Sequence, residues 1–398
     1  GHARTLGELG DAAAGKDAFR AAATAASGIG DDRGIAAAWL GELELLSVAG
    51  GAPLEALDRL PFATIAVERS GDALLREDLD VVRGKLLLEQ GDATAAQAAF
   101  EAARTSALAR GVGGSLAAVR IDQQLTRALF ARDAIDEAIV LGRATVAAYQ
   151  RLLGDDHLTV AKAINNLGIA VDQAGRFDDA IALHQQALAI KERVLGPDDP
   201  SVATTLHNLG LVASHQERGP EAIAYYQRAL VIRERALGPD HKLVASTLSN
   251  LAVEHGAQGR LGDAAAEFER AIAIRERAEG PDSPGVAAPL LGLANVLRDG
   301  GAVRDARAPA LRALAIRERA LGVDSPQVAE VVITIADLDA AQGDRAAACR
   351  GYTRAVDIVR AQRGGDHPQQ IVPLANLAEC RRVDGRLADA IAMAEDVV

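Results

Sequence analysis

The sequence predicts an all-α protein, an α-solenoid of about ten antiparallel helix pairs. Three observations carry that reading. A glycine recurs at 42-residue steps, at Gly154, Gly196, Gly238, Gly280, Gly322 and Gly364. A second recurs inside the unit, at Gly175, Gly259, Gly301, Gly343 and Gly385; Glu217 stands in its place once, with Gly219-Pro220 just after. Between these glycines the chain consists of helix formers with few β-branched runs. Glycine tolerates the left-handed conformation that ends a helix. Two glycines per period therefore delimit two helices, A and B, joined by a tight turn.

The elements follow in order. Residues 3–28 read as a worn first pair that serves as a cap. Residues 32–70 read as the next, with Trp39 in helix A and "PLEALDRLPFATIAVER" as helix B, which Pro61 is expected to kink or interrupt. Gly84, Gly91, Ala96, Phe100 and Ala103 fall two periods before Gly168, Gly175, Ala180, His184 and Ala187, so this degenerate stretch keeps the register. The division expected is a degenerate array over 1–112 and a regular one over 113–398, whose last repeat stops at "IAMAEDVV" partway through the pattern. Gly1-His2 lacks an initiator Met and looks like a cleavage scar, and the chain reads as a piece of a longer protein.

In the regular units, helix A follows a "GPD" loop. Asp199-Pro200, Ser283-Pro284 and Ser325-Pro326 place a capping side chain before a proline at the first helical position. Helix B opens at "GRFDDA", "GRLGDA" or "GRLADA", an acidic first turn that suits the helix dipole. Small residues recur where helices must touch: Gly168, Gly210, Ala252, Ala294, Ala336 and Ala378 on helix A, and two alanine series on helix B that begin at Ala180 and Ala187. Between the two alanine series lies a bulky position, filled by Phe100, His184, Tyr226, Phe268 and Tyr352. Small residues admit the neighbouring backbone and the bulky one fills the gap beside them.

Composition excludes several functions. The formal net charge of −12 disfavours a nucleic-acid footprint, which needs a basic face. It also disfavours a role on anionic membranes, and no apolar run approaches a membrane span. Aromatics are only 3% of the chain, too few for aromatic ligand cages. Cys349 and Cys380, the only cysteines, suit a reducing cytoplasm and read as two small buried hydrophobes, although their helices are adjacent in sequence and could bring them together. No phosphate loop, nucleophile elbow or paired metal-ligand spacing is present, so no catalytic, cofactor-binding or metal site is expected. His157, His241 and His367 share one loop position beside Asp156, Asp240 and Asp366, where they alternate with Asp199, Ser283 and Ser325 at a helix N-terminus. The runs Arg233-Glu234-Arg235, Arg275-Glu276-Arg277 and Arg317-Glu318-Arg319 read as a solvated helix face with local ion pairs.

With small residues on both helices, an aromatic between them, and "NNLG…GRFDDA…ALAIKERVLGPDDP" as the unit, the chain resembles the tetratricopeptide repeat. It is similar to the 42-residue subtype of kinesin light chains and many bacterial signalling proteins, over at least Gly114 to Val398. The arginine-, alanine- and glycine-rich composition fits a bacterial source. The resemblance implies a right-handed superhelix with helix A lining a concave trough that holds an extended peptide or a partner's helix. The residues it turns inward are Arg120, Gln123, Gln124, Arg127, Lys162, Asn165, Asn166, His207, Asn208, Asn250 and Asn376. Two roles are open to the asparagines at 166, 208, 250 and 376: bidentate pairing with a bound peptide's main chain, or bonding to neighbouring helices. Inward positions near the C-terminus are acidic (Asp299, Glu330, Asp337, Glu379, relieved by Arg298 and Arg382), which predicts one end that prefers carboxylates and one that prefers cations. The function implied is a non-catalytic protein–protein interaction scaffold. The alternative is a regulatory or sensor array from a larger signalling protein, such as a Ser/Thr kinase, a STAND NTPase or a CHAT protease, docking an effector domain. Self-association through terminal repeats is also open.

Overall fold

The computed structural model describes residues 12–48, 53–363 and 371–383, and every one of its regular elements is a helix. In chain order these are α1 (Ala12–Gly28), α2 (Asp32–Val48), α3 (Pro53–Ser70), α4 (Ala73–Glu89), α5 (Ala93–Ala109), α6 (Leu116–Ala131), α7 (Ile135–Leu153), α8 (Leu158–Gln173), α9 (Phe177–Leu195), α10 (Pro200–His215), α11 (Gly219–Leu237), α12 (Lys242–Ala257), α13 (Leu261–Glu279), α14 (Pro284–Asp299), α15 (Val303–Leu321), α16 (Pro326–Ala341), α17 (Arg345–Arg363) and α18 (Ile371–Val383). Gly364, His367, Gly385 and the end of the last repeat lie outside the described residues. The chain divides into two compact units, Gly1–Val194 and Leu195–Val398.

In the first unit α1 leads the pairs α2/α3, α4/α5, α6/α7 and α8/α9. In the second, α10/α11, α12/α13, α14/α15 and α16/α17 are followed by α18. Within a unit each helix packs on its chain neighbours. Successive A helices also touch: α2 with α4 and α4 with α6 in the first unit, α10 with α12, α12 with α14 and α14 with α16 in the second. The A side is therefore the crowded side of each unit.

Local chemistry sets the helix ends. Most A helices are capped by a side chain. Asp72 accepts from the amides of Leu74 and Leu75, Ser115 from Ala118 and Asp199 from Ser201. His157 and His241 do the same work, each Nδ1 accepting from the amide two residues on, at 3.1 and 3.2 Å. The B helices α7, α11, α13 and α15 lack a side-chain cap and rely on acids in their first turn. At the A-to-B turn Glu217 takes the left-handed conformation (φ 59°) that glycine holds in other repeats.

The packing rule is a ring against a missing side chain. A Cβ added to Gly84 would lie 2.5 Å from the Phe100 ring, one on Gly168 2.7 Å from His184, and one on Gly210 2.5 Å from Tyr226. Glycine on helix A is thus what admits the helix B ring to the core, where all three rings are buried. The Phe268 ring presses onto Gly292 of the following A helix in the same way.

Four features depart from the sequence reading. Helix α3 runs unbroken through Pro61, because Ala56, Ala63, Ala66 and Val67 pack on Leu40 and Leu43 on both sides of the proline. Residues 12–28 of the expected first pair form one helix rather than two, and the rest lies outside the described residues. Cys349 of α17 and Cys380 of α18 are not separate hydrophobes but a disulfide, with Cα atoms 5.9 Å apart.

The basic runs also split. Their first residue is not solvated: Arg233 is 3% exposed, and Lys191 at the same repeat position 4%. The glutamate reaches the next repeat and the last arginine the loop before its own A helix, rather than their own helix. Arg193 pairs with Asp156 in the first unit; in the second, Arg277 pairs with Asp240 (2.5 Å) and Arg319 with Asp282 (3.1 Å). Glu234 and Glu318 take Arg270 and Arg354, both at 2.6 Å.

Two predictions follow from this packing. Burial, then the charge of Lys191, pushes the His184 pKa down to about 4, against about 6.5 in an open chain. The unfolded chain takes up a proton below pH 6.5 that the folded chain refuses, so stability falls as pH drops from 6.5 toward 4 and levels off below. A shift of that size corresponds to roughly 3 kcal/mol. In thermal melts, His184→Phe, the residue at this position in two other repeats, should flatten the decline between pH 6.5 and 4; an unchanged slope would refute the assignment. Glu217→Gly should raise the melting temperature, relieving a left-handed side-chain conformation worth about 1 kcal/mol.

Candidate functional site

Helices α6 and α8 bury one face each and leave a second. On α6 the buried residues include Ala118, Val119, Ile121, Leu125 and Ala128. What remains, at helical spacing, is Arg120, Gln123, Gln124 and Arg127. On α8 the buried set includes Val160, Ala161, Ile164 and Leu167, and the free face carries Lys162 and Asn166. The first unit thus gathers six of the eleven residues expected on the inner face, and Gln123, Arg127 and Asn166 line one cavity of about 340 Å³.

The walls of that cavity are apolar. Leu88, Phe130, Leu167, Ile169 and Ala170 contribute to it. Thr126 and Thr145 line it too, but their hydroxyls bond back to the carbonyls of Asp122 and Leu141 at 2.8 and 2.9 Å. Gln123 Oε1 accepts from the buried Tyr149 hydroxyl at 2.9 Å. Asn166 is half-buried, and among the described residues its amide has no hydrogen-bond partner.

The rim is cationic. Arg120, Arg127 and Lys162 are exposed, and among the described residues none has a carboxylate within 4 Å. Arg127 Nη1 donates to Gln124 Oε1 at 2.8 Å, a neutral partner. The nearby Asp122 is already held by Arg104 at 2.7 Å.

The remaining expected residues are placed differently. Asn165 is buried and bonds through Oδ1 to His184 Nδ1 at 3.2 Å. In the second unit His207 is half-buried, lies against the Tyr226 ring and faces Asn250 Nδ2 at 3.3 Å through Nε2. Its Nδ1 faces Arg233 Nη1 at 3.3 Å. Burial, then that guanidinium, drives the His207 pKa down to about 4, so it is neutral near pH 7. Arg233 itself donates to the Leu243 carbonyl at 3.0 Å and the Thr247 hydroxyl at 2.5 Å, and burial lowers its pKa to about 10. Asn208 is half-buried on α10, and Asn376 lines a separate cleft of about 300 Å³ with Tyr352, Arg345 and Glu379.

The acidic positions expected to attract cations are already neutralised. Arg298 holds Asp299 and Asp337, both at 3.0 Å, Arg317 holds Glu330 at 2.8 Å, and Arg382 holds Glu379 at 2.6 Å. Asp337 and Glu330 take their partners from another helix, which the sequence of one helix does not show, whereas Asp299 and Glu379 pair within their own helices.

Two residues that matter to the cavity escaped the sequence reading. Gly142 occupies the repeat position of Phe100, His184, Tyr226, Phe268 and Tyr352, and Ala170 occupies that of Leu338. The 42-residue register held the signal, since Gly142 is a gap in the ring series.

No curated protein matches the sequence. Among solved structures the chain is similar to BtubC (BKLC) from P. vanneervenii, at 24% identity and a TM-score of 0.51 over 59% of this chain and 94% of that one. It is similar to a Signal Transduction ATPase with Numerous Domains from Pyrococcus horikoshii that carries a tetratricopeptide repeat sensor, at 11% identity and a TM-score of 0.62 over 91% of this chain and 52% of that one. It is also similar to aspartyl phosphate phosphatase F from Bacillus subtilis, at 16% identity and a TM-score of 0.57 over 78% and 76% of the two chains. At these identities the likeness is one of fold. The tetratricopeptide repeat model matches residues 120–193, 173–218, 201–277, 255–319 and 327–398, well over half of the sequence. With its helix hairpins stacked on small residues, the chain belongs to the tetratricopeptide repeat family, a protein-interaction fold.

Proposed function

We propose that the chain is a non-catalytic protein–protein interaction scaffold whose first unit captures an extended, acidic segment of a partner protein along the A-helix face of α6 and α8. The observation that carries this reading is charge without a counter-charge. Many arginines elsewhere along the repeats find carboxylates on a neighbouring repeat. On this face three cations gathered together, Arg120, Arg127 and Lys162, find none among the described residues. A carboxylate supplied from outside would meet exposed, underused cations without first breaking an ion pair. The open amide of Asn166 offers one donor and one acceptor beside them, the pattern a peptide main chain matches. The half-buried Gln123 and Gln124 extend the polar floor.

The test uses synthetic dodecamers, one rich in Asp and Glu, one with Lys and Arg at the same positions. The acidic peptide should bind and weaken steeply as salt rises from 50 to 300 mM. Combining Arg127→Glu with Lys162→Glu should cost at least tenfold in affinity, at an unchanged melting temperature. Equal binding of the two peptides by the native protein would refute the reading.

A further inference from the structure

The chain's only two cysteines meet in one covalent bond, so no other junction of the array can be closed this way. Cys349 lies in the second turn of the B helix α17, and Cys380 near the end of the A helix that follows it, α18. In the second unit the same pair of positions holds Ile223 and Glu254, then Ala265 and Val296, then Arg307 and Leu338. Ordinary side chains serve at those junctions.

At this one, α18 has less to hold it by other means. The preceding A helix, α16, buries eight residues, among them Val328, Val331, Val332 and Leu338. Among the described side chains α18 buries four: Pro373, Leu374, Leu377 and Cys380. Leu374, Leu377 and Cys380 pack with Ala348, Tyr352 and Val356 of α17 and with Ala336 of α16. Less buried apolar surface means a smaller free energy of local opening once the bond is gone. The bond can also be reached. Cys349 is half-buried, and Cys380 lines the cleft of about 300 Å³ together with Arg345, Tyr352, Asn376 and Glu379. Glu379, the acid there, is paired with Arg382 at 2.6 Å, and Arg345 brings a positive charge to meet an incoming thiolate.

We propose that the Cys349–Cys380 bond is a redox latch: intact, it keeps α18 seated on α17; reduced by a dithiol, it frees α18 and uncovers the apolar face of α17 at Ala348, Tyr352 and Val356. The chemistry is thiol–disulfide exchange. One thiolate of the dithiol attacks a sulfur of the pair. The bond between the cysteines breaks, and the other cysteine leaves as a thiolate and takes up a proton. The dithiol's second thiol, deprotonated, attacks the mixed disulfide and releases the first cysteine, which is protonated in turn. Two electrons and two protons thus pass from the dithiol, which closes into its own disulfide, to the protein's pair. Asn376, Glu379 and Arg382 ride on α18 and leave the A side with it. The inference does not rest on the peptide reading, whose residues belong to the first unit.

The experiment follows amide hydrogen exchange of residues 371–383 in the full chain, air-oxidised and after dithiothreitol, with free thiols counted. Reduction should release both thiols and speed exchange in α18 at least tenfold, with α14 and α15 unchanged. Glutathione disulfide should restore the slow exchange. Cys349→Ser and Cys380→Ser should each exchange fast with or without dithiothreitol. Cys349→Ala combined with Cys380→Val, which copies the Ala265 and Val296 junction, should ignore the reagent. If the variants fail to fold, the reduced native protein decides alone. The proposal falls if the air-oxidised protein holds free thiols, if dithiothreitol liberates none from the folded chain, or if both thiols appear and α18 exchanges as slowly as before. Faster exchange throughout the second unit would also overturn it, making the bond a staple of the whole stack, as would a response of the Ala/Val variant to dithiothreitol.

Discussion

The stacking depends on one steric bargain between paired helices, in which a small residue on helix A, glycine at three repeats, admits a ring from helix B. At Gly84, Gly168 and Gly210 a methyl group would overlap the ring of Phe100, His184 or Tyr226. The close approach leaves successive A helices in contact, and it places the half-polar faces of those helices side by side. That the slot accepts His184 as well as phenyl and phenol rings shows that shape rules over polarity there. The histidine is held neutral, with Asn165 satisfying one ring nitrogen.

The second organising principle is electrostatic thrift between neighbours. With a net charge of −12 the chain has acids to spare, and many described arginines are tied to one of them, several across a repeat boundary. Glu234 takes Arg270, Asp240 takes Arg277, Asp337 takes Arg298. Each exposed pair contributes little alone, on the order of a few tenths of a kcal/mol. On the α6/α8 face three cations, Arg120, Arg127 and Lys162, gather without such a partner among the described residues.

Much of the architecture was legible in the sequence because it is periodic. The glycine spacing, the caps at Asp199 and Ser283 and the histidines at 157 and 241 as cap substitutes can be read one unit at a time. What stayed hidden depends on contacts between units. Arg233 looks like one more solvated arginine until Leu243 and Thr247 of the next helix close over it. Glu330 looks like an open acid until Arg317 reaches it. Cys349 and Cys380 are 31 residues apart and pair because α17 packs on α18. Pro61 looked like a breaker, and burial of α3 on both sides of it prevailed over the lost hydrogen bond. The cavity at Gly142 is the instructive case: every residue needed to foresee it was in view, but its detection required attention to where the repeat fails rather than where it holds.

A surface that repeats itself every 42 residues offers a guest many nearly equivalent berths, so a strand held only by evenly spaced amides could slip from one to the next at little cost. Gly142 and Ala310 both break that translational symmetry, and only at Gly142 does no leucine close the gap. In a lattice of copies, the imperfection is where an address can be written.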